Sequence, residues 1–250
     1  MHDHAIDDGL TDLLEGRVEK DGVKKVVAIM GGHSTGRDDE SYRKVAHLAR
    51  ALTAEGFFIA SGGGPGIMEA TNLGAYLADL SVAELDEVLD LLAKAPKYDD
   101  PGYIEAANEV IAKYPTGHSS IAIPTWFYGH EPTNMFSAHV AKYFSNSIRE
   151  DGLLAIARYG IIFAPGRAGT TQEIFQDACQ NHYASYGEVN PMVFLGRERY
   201  TKETPLWDTI NSVAEGRHYH EMLLLSDEVD EIVDFLKTHP PVPSNGVVKP

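Results

Sequence analysis

The chain has 250 residues, of which 43% are hydrophobic and 23% are charged, and this balance predicts one globular domain with a sizeable core. Its 37 acidic and 21 basic side chains leave a net charge of −16 at pH 7, which disfavours binding to nucleic acids and to anionic membrane surfaces. The single cysteine, Cys179, excludes an intrachain disulfide and a cysteine-based zinc cage, and we expect it to be a small buried residue.

Residues 1–23 are predicted to form an N-terminal extension. They begin with MHDHAIDDGL, which lacks the basic start and apolar core of a signal peptide, and no later stretch approaches the roughly 20 apolar residues that span a bilayer. We therefore expect a cytoplasmic protein without a membrane segment. His2 and His4 are expected to lie in a mobile terminus and not in a metal site.

Residues 24–238 are predicted to form a single Rossmann-like nucleotide-binding domain. A β-branched run that ends in glycines, KKVVAIMGG, precedes the helical pattern DDESYRKVAHLARALTAEG. The next strand pattern, FFIASGGG, leads directly into a second helical pattern, GPGIMEATNLGAYLA. This succession is typical of a βαβα unit.

The alternation of strands and helices resumes after an interruption. Residues 76–117 carry two amphipathic helical patterns around a Pro-Gly turn, and this inserted helical pair caps a pocket, forms a subunit contact or serves as a structural cover. Four further strand patterns follow, separated by helical patterns that include one long helix over NMFSAHVAKYFSNSIREDGLLAIARY. The proline-rich residues 239–250 are predicted to be a disordered tail. The predicted fold class is therefore α/β, a doubly wound, mainly parallel sheet of modified Rossmann type with a helical insertion.

Three corners at which a strand becomes a helix are rich in glycine. They are GGHSTG (31–36), SGGGPG (61–66) and PGRAGTT (165–171). Ligands of parallel sheets bind beyond the carboxyl ends of the strands, where unpaired N–H groups at helix starts point outward. Glycine allows close approach to such a ligand, and the helix dipole attracts anions even in an acidic protein. The corners therefore predict a phosphate-bearing small molecule.

Several common sites are excluded by their missing motifs. The chain has no G-x-x-x-x-G-K-[ST] loop, and GGGPGIMEA lacks the last glycine of the dinucleotide fingerprint, which disfavours redox chemistry with NAD. It also has no H-E-x-x-H and no G-x-S-x-G motif, which excludes the commonest metalloproteases and serine esterases.

The stretches SGGGPGIMEATNLGA and APGRAGTTQE resemble the LOG family of nucleoside 5′-monophosphate phosphoribohydrolases. The family pattern is a first strand with a Gly-Ser-type loop, then a Gly-Gly-Gly-x-x-Gly-x-Met corner, then a Pro-Gly-Gly-x-Gly-Thr-x-x-Glu corner. The resemblance covers about residues 24–236. It implies hydrolysis of the N-glycosidic bond of an AMP-like nucleotide to a free base and ribose 5-phosphate, without metal or cofactor. It also implies a homodimer or higher homo-oligomer, with the segment His139–Arg149 as a candidate interface.

The resemblance assigns site residues by position. Glu173 matches the motif's glutamate, which acts on the ribose and the attacking water, and Arg149 is assigned as the catalytic arginine of the family. The nucleotide-binding residues implied at the three corners are Gly31, Gly32, Ser34, Gly63, Gly64, Gly66, Met68, Gly166, Arg167, Gly169, Thr170 and Thr171. No metal ligands are expected.

Elementary chemistry supports these roles and also leaves simpler alternatives open. A carboxylate beside the ribose stabilises oxocarbenium character and orients water, and a helix that starts near Gly169 has Glu173 in its first turn. The simpler alternatives are that Glu173 only complements the helix dipole and that Arg149 forms a surface ion pair with Glu150 or Asp151.

Other polar residues are ambiguous. Arg167 replaces a family glycine and either contacts phosphate or points to solvent, and Glu69 stands where short family members have glycine. The segment 124–134 either stacks on a base through its aromatic residues or packs as a loop, and His218 and His220 are expected to be surface residues. The alternative function is a non-catalytic carrier of a nucleotide or of molybdenum cofactor on the same fold.

Overall fold

The computed structural model describes residues 1–126 and 134–244, and its centre is a parallel sheet. The strands are β1 Val26–Met30, β2 Phe58–Ser61, β3 Ser120–Ala122, β4 His139–Val140, β5 Ile161–Phe163, β6 Glu188–Val189, β7 Met192–Leu195, β8 Leu223–Ser226 and β9 Val242–Pro243. Seven of them pair in the order β4-β3-β2-β1-β5-β7-β8, all parallel, while β6 and β9 form a separate antiparallel pair.

Helices cover both faces of this sheet. They are α1 His2–Leu14, α2 Glu40–Ala54, α3 Ile67–Tyr76, α4 Val82–Leu92, α5 Tyr103–Lys113, α6 Asn146–Ile156, α7 Ala168–Tyr183, α8 Leu206–Ala214 and α9 Val229–Thr238, with a π-helix at Arg199–Glu203 and a 3₁₀-helix at His220–Met222. One buried cluster joins α2, α3, α4, α5 and α9, and a second joins α1, α6, α7 and α8. Because side chains alternate along a strand, Ile29 enters the first cluster and Met30 the second. The predicted doubly wound α/β fold is confirmed.

The strand order reverses between β1 and β5. From β1 the chain moves outward through β2 and β3 to β4, and from β5 it moves outward in the other direction through β7 to β8. In open α/β sheets, ligands bind beyond the carboxyl ends of the strands at such a switch point. The first and third glycine-rich corners follow these two neighbouring strands.

The predicted long helix over residues 134–159 is wrong in its first half. Residues 139–140 form β4 at the edge of the sheet, and the helix begins only at Asn146. The Ala141 N–H donates to the Ala122 carbonyl (2.9 Å), and the Tyr143 N–H donates to the Pro124 carbonyl (3.0 Å). Pairing with the sheet edge therefore outweighs the helical pattern, and the proposed interface His139–Arg149 is only partly helical.

The two ends of the chain are more ordered than predicted. The N-terminal residues form α1, because Leu10 and Leu13 give it an apolar side that is buried in the second cluster. In the tail, Val242 pairs with Val189, whereas residues 245–250 lie outside the described part of the chain.

Cys179, predicted to be buried, is exposed on the same side of α7 as Phe175. Across residues 1–126 and 134–244, no helix is both long and apolar enough to cross a membrane.

Candidate functional site

The three glycine-rich corners meet at Gly32. Its N–H donates to the Pro165 carbonyl of the third corner (3.1 Å), and its carbonyl accepts from the Ile67 N–H at the start of α3 (3.1 Å). Gly66 has a positive φ of 68°, and a Cβ there would lie 2.5 Å from the Gly32 carbonyl oxygen. Glycine is therefore required at position 66 both by its backbone conformation and by this close approach.

The second corner uses much of its own hydrogen-bonding capacity. The Gly63 N–H donates to the Ser61 hydroxyl (3.1 Å), and the Gly64 N–H contacts the Met68 sulfur at 3.4 Å. With the Ile67 N–H bound to Gly32, few amides of this corner are left for a ligand. Gly31 packs beside Ile67, and Ser34 is exposed at the rim of the first corner.

The third corner leaves the start of a helix open. No side chain caps α7, and the first backbone bond at its start runs from the Thr171 N–H to the Arg167 carbonyl (3.0 Å). The preceding amides of α7, at residues 168–170, have no backbone partner among the described residues, as is usual for the first turn of a helix. Residues 167–169 are exposed, so these donors and the positive end of the helix dipole can receive an anion.

The side chains of this corner differ in what they can offer. Thr170 is buried, and its hydroxyl oxygen would lie 2.1 Å from a Cβ at position 166, so Gly166 leaves room for Thr170. The Thr171 hydroxyl donates to the Arg167 carbonyl (3.1 Å), and the Arg167 side chain is exposed. The backbone therefore supplies more of the available donors than the hydroxyl groups do.

Arg149 is buried between the ends of two strands. Only 5% of it is exposed; its Nε donates to the Ile123 carbonyl (2.8 Å), and its Nη2 donates to the Gly62 carbonyl (3.2 Å). The alternative of a surface ion pair with Glu150 or Asp151 is therefore wrong. These two bonds fix the guanidinium beside the second corner.

Glu173 is partly buried. The helix starts at Ala168, next to Gly169 as expected, but Glu173 is its sixth residue and therefore lies in the second turn and not in the first. Burial raises the pKa of its carboxyl, the Arg149 guanidinium lowers it and the Glu150 carboxylate raises it, with a net value of about 7. The two residues assigned to catalysis are thus close enough to interact electrostatically. A carboxyl group with a pKa near neutrality is suited to proton transfer.

Two residues that the sequence analysis missed support the third corner. Arg199 Nη2 donates to the Gly166 carbonyl (2.7 Å), and the Tyr200 hydroxyl donates to the Ala164 carbonyl (2.9 Å). Both belong to the π-helix after β7, a rare conformation that often occurs at functional sites. No sequence motif identifies them, because their partners are backbone groups more than 30 residues away.

Glu69 lies in a buried network and not in the candidate site. Its carboxylate accepts from Arg37 Nε (2.9 Å) and Nη2 (2.6 Å) and from the hydroxyls of Tyr42 and Tyr103 (2.8 Å each). Arg37 also stacks on the Tyr103 ring, with Cζ 3.3 Å from the ring centroid. This network joins the first corner and α3 to the inserted helix α5.

The aromatic segment 124–134 is only partly described. Residues 127–133, which include Phe127, Tyr128, His130 and Glu131, lie outside the described residues. Trp126 is 49% exposed, and Asn134 Nδ2 donates to the Asn72 side-chain oxygen (2.8 Å) behind the second corner. Asn134 therefore has a structural contact.

The remaining polar candidates lie apart from the site. His218 is exposed, and His220 Nε2 lies 3.0 Å from the Asn211 side-chain oxygen. Within the described ranges, no group of three or more His, Cys, Asp or Glu residues is arranged to hold a metal ion. A cavity of about 180 Å³ shares Pro165 with the third corner, but its walls come from α2 and from the loops after β7 and β8, without Arg149 or Glu173.

Comparison with known proteins identifies the fold alone. No protein-family model matches the chain, and no curated protein matches it. The molybdenum cofactor binding protein from the phototrophic bacterium Rippkaea orientalis is similar in structure, with a TM-score of 0.53 and 14% identity over 86% of this chain and 96% of that one. The molybdenum cofactor carrier protein from Chlamydomonas reinhardtii gives a TM-score of 0.52 and 14% identity over 86% of this chain and 97% of that one.

Proposed function

We propose that this protein hydrolyses the N-glycosidic bond of nucleoside 5′-monophosphates to a free base and ribose 5-phosphate. The observation that carries the proposal is the position of Glu173, with a pKa of about 7, on the same helix whose uncapped N-terminus forms the third corner. The buried Arg149 beside this carboxyl group supports the same chemistry.

The phosphate of the nucleotide binds to the amides of residues 168–170, and the ribose then extends toward Glu173. As the bond between C1′ and the base nitrogen breaks, positive charge develops on the ribose, and a carboxylate beside it stabilises that charge. Water attacks C1′ and gives a proton to the Glu173 carboxylate, while the base leaves with the electron pair of the broken bond and takes up a proton from solvent. Glu173 then releases its proton to solvent, which restores the carboxylate. Arg149 supplies donors to the phosphate or to the departing base.

Binding of the phosphate makes the reaction selective for nucleotides. The phosphate is remote from the broken bond, but its contacts hold C1′ in position beside the carboxylate. Adenosine lacks this anchor, and we expect it to react far more slowly than AMP.

The test is an assay of free base and ribose 5-phosphate with AMP, GMP, IMP, CMP, UMP and isopentenyl-AMP as substrates. Wild-type protein should release a base from at least one of them, and Glu173→Gln should lower the rate by about 100-fold or more because the proton acceptor is lost. Glu221→Gln is the matched control, since Glu221 is exposed outside the site and its change should leave the rate unaltered. Equal rates for wild type and Glu173→Gln would overturn the catalytic role.

A carrier is the second candidate function. It is favoured by the two fold neighbours named for binding or carrying molybdenum cofactor, which align over most of their length. A carrier of a nucleotide or of molybdenum cofactor would bind its cargo without breaking a bond. Saturable binding without release of a base, and unchanged affinity in Glu173→Gln, would favour this function over hydrolysis.

The protein is further proposed to form a cytoplasmic homodimer or higher homo-oligomer through the outer sides of α6 and α7. Ile148 and Phe175 are 47% and 44% exposed there, on the two helices that carry Arg149 and Glu173. Light scattering should give the mass of at least two chains, and Phe175→Asp should give a monomer. Val213→Asp, at a similarly exposed apolar residue of α8, is the control that should leave the mass unchanged.

A further inference from the structure

The first turn of α1 is bonded to the segment that leads into α6, about 140 residues later in the chain. Asp3 Oδ1 accepts from the Phe144 N–H (2.9 Å), and Asp3 Oδ2 accepts from the Ser145 N–H (3.1 Å). Asp7 Oδ1 accepts from the Tyr143 hydroxyl (2.8 Å). Three consecutive residues before α6 are therefore held by two carboxylates of the N-terminal helix.

These bonds hold the two residues that precede α6 and do not cap its first turn. Its N-cap residue is Ser145, but the Ser145 side chain makes no capping hydrogen bond. The Asp3 carboxylate binds the amides of this N-cap residue and of the residue before it, and it adds a negative charge near the positive end of the helix dipole. The same two N–H bonds lower the pKa of Asp3, so the carboxylate stays ionised at neutral pH.

The start of α6 is directly connected to Arg149. The Arg149 N–H donates to the Ser145 carbonyl (3.1 Å), one helical turn away, and its guanidinium is held at the far end by the carbonyls of Ile123 and Gly62. The side chain can reach both carbonyls only if the first turn of α6 keeps its place. A shift at residues 144–145 therefore moves Arg149 relative to Glu173.

We infer that Asp3 is a positioning residue for Arg149: the N-terminal helix fixes the start of α6 and, through it, the guanidinium at the candidate site. The catalytic part of this inference rests on the proposed nucleotide hydrolysis, whereas the structural part does not. Asp3 touches neither substrate nor reacting atoms in this scheme, and its effect is transmitted through one helical turn.

The structural part is tested by hydrogen exchange in the full-length protein. In Asp3→Ala, exchange of the Phe144 and Ser145 amides should become roughly fivefold to tenfold faster, because each amide loses its hydrogen bond to a carboxylate. The Arg149 Nε–H signal, assigned by its loss in Arg149→Lys, should also exchange faster. Asp8→Ala is the matched control, because Asp8 lies in the same helix, is exposed, and has a carboxylate without a hydrogen bond or ion pair in the described part of the chain. Unchanged exchange at Arg149 Nε in Asp3→Ala would overturn the inference.

The catalytic part is tested by separating kcat from KM for the nucleotide that wild-type protein cleaves best. Asp3→Ala should lower kcat severalfold with little change in KM, Asp3→Asn should recover part of the loss because it keeps one acceptor oxygen, and Asp8→Ala should match wild type. If Asp3 served folding alone, Asp3→Ala would lower only the fraction of protein that is folded and active, and the KM and pH profile of the active molecules would be those of wild type. A loss of kcat that is fully explained by this smaller active fraction would also overturn the positioning role. If wild-type protein cleaves no nucleotide, the proposed function fails while the exchange experiment still decides the structural part.

Discussion

Glu173 and Asp177 lie one turn apart on α7, and burial raises the pKa of both side chains. The consequences differ because their surroundings differ. Glu173 is partly exposed at the mouth of the corner with Arg149 beside it, whereas Asp177 is 2% exposed and its Oδ2 has no partner in the described chain. Glu173 can therefore exchange a proton with a bound substrate, whereas Asp177 is isolated from solvent.

The titration of Glu173 should appear in the pH dependence of catalysis. The mechanism needs the carboxylate form, so kcat/KM should rise with pH and level off above the Glu173 pKa of about 7. Arg149 lowers this pKa, so Arg149→Met should move the midpoint to higher pH. Rates of base release between pH 5 and 9 measure both midpoints. A profile that is flat through pH 7 would contradict the role of Glu173 as the base.

Asp177 should make the protein less stable as the pH rises. Its pKa is well above 3.8 in the folded state, so the folded protein keeps a proton that the unfolded chain releases, and the free energy of unfolding falls above about pH 4. Asp177→Asn removes this titration and keeps an oxygen to accept from Asn181 Nδ2 (3.3 Å). We expect a gain of about 1–3 kcal/mol at pH 7 and little gain at pH 3, measured by urea unfolding. The exposed Asp208→Asn is the control, and an equal gain there or at pH 3 would contradict the argument.

The individual site residues could be predicted from the sequence only where a motif fixes their spacing. Glu173 follows the glycines of the third corner at a constant offset, so its neighbourhood and the helix start beside Gly169 were predictable, although it lies in the second turn of the helix and not in the first. Arg199 and Arg37 could not be predicted. Their partners, the Gly166 carbonyl and the Glu69 carboxylate, are brought to them only by the tertiary fold.

At the scale of secondary-structure elements, the three corners look alike in sequence and differ in what they leave free. The second corner binds its amides to Ser61, Met68 and Gly32, while the start of α7 remains uncapped. Counting glycines therefore predicted where a ligand could bind but did not distinguish the corner with free donors from the corner that closes on itself. Glycine serves close packing in both, at Gly66 against Gly32 and at Gly166 against Thr170, so the difference lies in the uncapped helix start of the third corner.

The packing role of the second corner predicts a strong effect of Gly66→Ala. A side chain at position 66 is strained by the positive φ, and its Cβ clashes with the Gly32 carbonyl oxygen. Neither the strain nor the clash can be relieved without moving the backbone of the corner. We expect a loss of at least about 2 kcal/mol in the free energy of unfolding. Gly152→Ala is the control: Gly152 lies inside α6 with nothing within 4 Å of an added Cβ, so this change should stabilise by roughly 0.5–1 kcal/mol. Equal effects of the two substitutions would contradict the close packing at Gly32.

The segment before α6 shows why a pattern of apolar residues does not always define an element. In AHVAKYFS, Ala141 and Tyr143 are buried while Val140 and Phe144 are exposed, which is the alternation of an extended chain. Five residues are too few to separate this period from a helical one, and the well-formed helix pattern that follows favoured the wrong choice. Only the free edge of β3, which is a tertiary feature, determines the extended conformation.

At the scale of the whole molecule, a chain with a net charge of −16 binds its proposed anion through a local arrangement and not through its overall field. In this proposal the backbone amides and the buried Arg149 supply the positive potential, and they act against the nearby Glu150 carboxylate, which raises the pKa of Glu173. Stability also depends on a local arrangement of charge. The buried Arg37 and Glu69 form an ion pair, and two tyrosine hydroxyls donate to the Glu69 carboxylate. This pair connects the inserted helices to the sheet domain, so the two should unfold as one unit.

The connection predicts that Arg37→Met destabilises the whole protein and releases the insertion. The substitution leaves the Glu69 carboxylate buried without its cation, which lowers the free energy of unfolding by about 3–5 kcal/mol. In the double variant Arg37→Met, Glu69→Gln, the buried charge is also removed, and part of this stability should be recovered. Arg43→Met is the control, since it breaks more exposed pairs with Asp86 and Asp90 and should cost no more than about 1 kcal/mol. Urea unfolding measures these energies, and hydrogen exchange should show lost protection in residues 103–113 of Arg37→Met alone. If Arg37→Met behaved like Arg43→Met, or if residues 103–113 kept their protection, the insertion would be held by its apolar contacts and not by this ion pair.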